Sequence, residues 1–220
     1  MLQREFTLTP DELSLKELWL AMGYGEAEPD AGIRALAEEI VRRTVPSARL
    51  RYMYQIVEAE RLSPGRVRLD GAEFHSGGII GSYLNGMTHA CVFVATAGVE
   101  FDAEVQAIKS EGDIVADFIA DSVGTVLAEL AVDRLERELA LRQGLSMPYS
   151  PGYCGWDIKE QQQFFKLFPP QPCGIRLSES SLMSPEKSIS GFFAMGEHLQ
   201  RQPYHCDICK NSKCYKRRSA

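Results

Sequence analysis

Hydrophobic positions along the chain switch between two periods. The longest helical pattern covers residues 113–142, where Val115, Phe118, Ile119, Val126 and Leu130 recur at roughly 3.6-residue spacing and predict one long amphipathic helix with that stripe inward. Thr9, Pro10 and Glu12 form a helix-start signal, and Leu13, Leu15, Leu18, Trp19 and Met22 follow before Gly23 and Gly25, which predicts a single helix there. A second is expected from Asp30, with Ile33, Leu36, Ala37, Ile40 and Val41 on one face and Pro46 closing it. Residues 50–57 and 66–69, rich in tyrosine and branched side chains, read as strands. Residues 91–96 (CVFVAT) form a continuous apolar run, expected of a strand buried on both faces. His75, Ser76, Gly77 and Gly78 lack the spacing of a phosphate loop and read as a turn.

Residues 148–193 condense several signals. Pro151 and Gly152 make a turn that presents Tyr153 and open backbone N–H groups. Asp157 is placed to cap a helix whose face is Ile158, Phe164, Phe165, Leu167 and Phe168, and Pro169 with Pro170 stops it. Residues 175–177 and 188–193 read as strands, and Gly191 inside the second predicts a close backbone approach by a ligand. The fold expected is α+β, an antiparallel or mixed sheet flanked by helices, with a groove between the long helix and the turn at residues 151–153. Three parts are expected: a helical segment at 1–48, a core at 49–200 and a cysteine-rich basic tail at 201–220.

Charge and composition narrow the partners. A formal net charge of −6 argues against nucleic acid, although Lys210, Lys213, Lys216, Arg217 and Arg218 make the tail locally basic. No apolar run approaches the ~20 residues needed to span a bilayer, and the first ten residues show no secretory pattern, so a cytoplasmic protein with no membrane partner is expected. Cys206, Cys209 and Cys214 bring three thiols close in sequence, a pattern that suits zinc or an iron–sulfur cluster, with His205, His198, Cys154 or Cys173 as a fourth ligand. A redox-active thiol pair is the alternative chemistry, and a tail without function the bland one. Glu129, on the shoulder of the long helix's stripe, suits either solvent or a cleft, and Tyr153 and Trp156 both read as packing aromatics at a turn.

The succession SPGY, then E-x-x-x-F-F-x-L, then G-I-x-L-x-E-S-x-x-M-x-P-x-K-S-x-S-G over residues 148–193 resembles the reactivation domain of cobalamin-dependent methionine synthase, in its stand-alone form. That resemblance implies binding of S-adenosylmethionine beside a cob(II)alamin carried on a partner chain, so that a methyl group and an electron from a flavodoxin-like donor restore the methylated corrinoid. The chain would then be an activation component contributing to methyltransferase activity. It implies that Ser150, Pro151, Gly152 and Tyr153 form the cofactor-binding turn, and that Glu129 faces the cofactor's amino group. The arginine that the family places five residues before the tyrosine is Pro148 here, and the family's second tyrosine has no counterpart. None of the four histidines lies in an Asp-x-His-x-x-Gly context that would ligate cobalt. Two other readings fit the same residues: a metal- or cluster-bearing electron-transfer protein for corrinoid reactivation that no longer binds S-adenosylmethionine, and a non-catalytic module that binds a corrinoid protein.

Overall fold

A computed structural model describes residues 1–139, 144–199 and 201. Its centre is an antiparallel seven-stranded sheet of β1 (Leu2–Phe6), β2 (Leu50–Ser63), β3 (Arg66–Leu69), β4 (Ala72–Phe74), β5 (His89–Thr96), β6 (Leu145–Tyr149) and, numbered later in the chain, β9 (Ser188–Met195). The order is β4-β3-β2-β5-β9-β6, with β1 beside the first half of β2. Tyr54 stands opposite Phe93, Phe93 opposite Gly191, and Phe192 opposite Tyr149. A small hairpin of β7 (Arg176–Leu177) and β8 (Met183–Ser184) lies apart.

Each face of the sheet carries its own core. On one face Tyr52, Tyr54, Cys91, Phe93 and Phe193 pack under α1 (Leu15–Ala21), α2 (Ala31–Thr44), α4 (Val99–Ser110) and α5 (Ile114–Leu139). On the other, Val92, Val94 and Phe192 pack with Phe74, Trp156 and Phe164. β5 is therefore covered on both sides, which is why its sequence shows no alternation. Residues of the N-terminal segment, among them Leu18, Trp19 and Val41, join the same core as β2 and α5.

Several expected elements change. The helix expected from Thr9 splits: Glu12 accepts from the Thr9 N–H (2.7 Å) in a short 3-10 turn, Leu13 is extended, and α1 starts afresh with Ser14 Oγ accepting from the Glu17 N–H (3.3 Å). Two capping residues five apart compete, and each caps its own turn. In α5, Val115 and Phe118 face outward, with Phe118 49% exposed, while Ile119, Val123, Val126 and Leu127 are buried. The buried face is set by small residues that a search for large hydrophobics passes over. A Cβ on Gly124 would lie 2.5 Å from Phe101 Cε1 and 2.6 Å from Lys187 Cγ, so close packing against α4 and the start of β9 turns that side inward.

The helix after Asp157 is short. Asp157 caps a 3-10 turn at Ile158–Glu160 (2.9 Å to the Lys159 N–H), and α6 (Gln161–Phe164) follows. Ile158 is exposed, and Gln161 is buried instead, because its amide donates to the Ser181 carbonyl (3.0 Å) and accepts from Ser190 Oγ (3.0 Å). That satisfied amide ties α6 to both β9 and the hairpin loop.

The turn at His75 leads into α3 (Gly77–Ser82). Gly77 has φ +78°, and a Cβ there would meet the Gly155 carbonyl carbon at 2.9 Å. Glu160 clamps this junction, accepting from the His75 N–H (2.7 Å) and from Trp156 Nε1 (3.0 Å), and it contacts His75 Nδ1 (2.8 Å). Ser76 Oγ, fully buried, makes no hydrogen bond among the described residues. Ser76→Ala is expected to raise stability by about 1 kcal/mol, since it removes a desolvated hydroxyl with no compensating bond. Denaturant unfolding of the two proteins checks this, and a loss of stability would mean that the hydroxyl has a partner.

Candidate functional site

β6 pairs with β9 only from Phe192 onward, so the outer edge of residues 188–191 has no strand beside it among the described residues. Two elements border that edge from opposite faces. α5 runs along one, with Asp121, Thr125 and Glu129 in a row at four-residue steps. The loop after β6 lies over the other. Ser150 Oγ would sit 2.9 Å from a Cβ on Gly191, which places the start of the loop directly against the edge. The close approach expected at Gly191 is thus made by this chain's own Tyr149 carbonyl and Ser150.

The turn is internally braced. The Ser150 carbonyl accepts from the Tyr153 N–H (3.2 Å), the Tyr153 carbonyl from the Trp156 N–H (2.9 Å), and the Trp156 carbonyl from the Gly152 N–H (2.8 Å). Gly152 at φ +92° supplies the left-handed conformation that the turn requires. Pro151 is buried. The two aromatics expected to pack divide: Trp156 is 1% exposed, whereas Tyr153 is 60% exposed. Glu129 is half-buried on the α5 row.

Lys187, at the end of the edge, went unassigned in the sequence. Its Nζ lies 2.7 Å from Asp121 and 3.1 Å from Thr125 Oγ1, with little of the side chain exposed. The Lys-Ser pair ahead of Ser190-Gly191 is visible in the sequence, but a cation's folding against a helix residue 62 positions earlier leaves no local signal. Among cations that could stand in for an arginine at Pro148, Arg176 is exposed and donates to Gln171 Oε1 (3.3 Å), Lys159 is exposed, and Arg142 lies outside the described residues. Pro148 itself occupies an edge strand opposite Phe193, a place where a missing N–H is tolerated.

An exposed aromatic ring, an open strand edge and charges of both signs suit a ligand with a flat ring and an amino-acid end. Cys206, Cys209 and Cys214, with His205, lie outside the described residues. Among the described residues no three His, Cys, Asp or Glu side chains gather to hold an ion. Cys173 is buried, and burial pushes its thiol up to about 12, so it stays protonated at neutral pH. No helix among the described residues is long and apolar enough to cross a membrane.

Fold and site together define an α+β domain with an antiparallel sheet flanked by helices, and a strand edge bordered by α5 and the loop after β6. Residues 82–219 match the family described as the activation domain of vitamin B12 dependent methionine synthase, and the chain belongs to that family. Among solved structures it is similar to the MetH reactivation domain bound to AdoHcy, with a TM-score of 0.64 and 16% identity over 93% of this chain and 81% of that one. At that identity the likeness concerns the fold. No curated protein matches the chain.

Proposed function

We propose that the chain is an activation component for a cobalamin-dependent methyltransferase, methionine synthase foremost, and supports reductive remethylation of cob(II)alamin with S-adenosylmethionine. The corrinoid is carried on a partner chain and, with an electron from a flavodoxin-like donor, supplies the chemistry. This chain binds and orients the methyl donor. Tyr153 offers its ring to the adenine, the backbone edge at residues 188–191 holds the amino-acid end, and Glu129 and Lys187 complement its ammonium and carboxylate. Family membership, the fold shared with a domain whose structure holds AdoHcy, and above all an exposed Tyr153 on a braced turn beside an open strand edge support this reading.

Titration calorimetry with S-adenosylhomocysteine tests it. Tyr153→Ala is expected to weaken binding about tenfold, the order of one lost stacking contact on a ligand of this size. The substitution should leave the melting temperature nearly unchanged, since the ring is exposed. Equal affinity in the variant would remove Tyr153 from the site. Pro148 in the arginine's place favours a second reading, an electron-transfer protein for corrinoid reactivation that bears a metal or cluster and no longer binds S-adenosylmethionine, and no binding by the wild-type chain would turn the assignment to it.

A further inference from the structure

A cleft of about 510 Å³ lies between β1 and the C-terminal half of α5 and is lined by Arg4, Glu5, Phe6, Tyr52, Arg134, Arg137 and Glu138. It is remote in the fold from the β9 edge, because β1 sits on β2, across β5 from β9. The two carboxylates lining it are already engaged. Glu138 accepts from Tyr52 Oη (2.7 Å) and Tyr54 Oη (2.8 Å), while Arg4 reaches it only at 3.4 Å. Glu5 pairs with Arg51, which also binds Glu100. Burial tends to push the Glu138 carboxyl upward, but the two phenols and Arg4 outweigh it and hold the group below the usual carboxylate range.

Arg4 is paired with Glu138 and donates to the Gln3 carbonyl (3.5 Å), and the other two guanidinium groups are less committed. Arg134 lies over the Phe6 ring, its Cζ 4.6 Å from the ring centroid, and it has no ion pair among the described residues. Arg137 has no ion pair among the described residues. Arginine in a helix's last turn is ordinary, since it complements the helix dipole. A cleft that joins Arg134 and Arg137 of α5 to Arg4 from an edge strand, beside Phe6 and Tyr52, is a further step, because planar guanidinium forks match oxyanions bidentately.

We infer that this cleft is a binding site for a multiply charged oxyanion of the phosphate type, with Arg4, Arg134 and Arg137 as its ligands. In a chain of net charge −6 such a site would be local and would draw the anion by short-range bonds rather than by long-range steering.

The test is calorimetric titration of the whole chain with inorganic pyrophosphate, against sodium chloride at matched ionic strength, repeated with Arg134→Gln/Arg137→Gln. Wild type should bind pyrophosphate and not respond to chloride, and the double variant should bind at least about tenfold more weakly, as expected when charge-assisted bonds are removed. Both arginines are exposed, so the variant should fold, and an unchanged melting temperature would show that it has. No binding at millimolar pyrophosphate, an equal response to chloride, or equal binding by the variant would each overturn the assignment. Because the two clefts lie on different strands, failure here leaves the β9 edge unaffected, and the reverse holds as well.

Discussion

Trp156→Ala is expected to cost about 3–5 kcal/mol of stability, the usual range for truncating a large aromatic side chain in a packed core. The indole is 1% exposed and makes edge contacts with Phe74, Phe164 and Phe192 at centroid distances of 6.1, 5.9 and 5.7 Å. Its Nε1 donates to Glu160, the carboxylate that also receives the His75 backbone, so the loss would extend to the junction with α3. The backbone of Trp156 closes the turn that displays Tyr153, and loosening it should weaken ligand binding as well. Trp156→Phe should recover most of the apolar contact and lose only the hydrogen bond, about 1 kcal/mol. Denaturant unfolding of the three proteins measures both steps. A cost below about 1 kcal/mol for the alanine variant would mean that the cluster does not hold the loop.

Gly191→Ala should separate the ligand turn from the sheet. A Cβ at this position would intrude on the Tyr149 carbonyl oxygen and stand 2.9 Å from Ser150 Oγ. The first obstacle is backbone of a paired strand and cannot swing aside, so β6 must shift, at a cost of about 1–3 kcal/mol typical of overpacking. The turn at residues 150–153 hangs from the end of β6, and its displacement should abolish measurable S-adenosylhomocysteine binding even where the protein remains folded. Gly78→Ala is the matched control, because nothing lies within 4 Å of its Cβ position. Calorimetry and thermal melting on both variants decide the matter: if Gly191→Ala behaves like Gly78→Ala, the approach of β6 to β9 is looser than described.

What the sequence by itself determined was local. The helix start at Asp30, the Asp157 cap, the strand at Arg66–Leu69, the doubly buried β5 and the turn at Pro151-Gly152 were all legible, because each depends on residues a few positions apart. The ordered motif of residues 148–193 likewise carried the family. β1, α4 and β6 were not legible. β1 is an edge strand with mostly exposed side chains, α4 buries only Phe101 and Ile108, and β6 carries a proline, so none shows a full period.

Tertiary structure alone decided which way α5 faces, since that depends on Gly124 admitting Phe101 and Lys187 from elsewhere in the chain. It also separated Tyr153 from Trp156, two aromatics three residues apart that the sequence could only treat alike. The indole is drawn inward by Phe74, Phe164 and Phe192 from three distant segments, and the phenol is left outside by a turn closed on Trp156. Burial is a property of what arrives from far along the chain, and no local period encodes it.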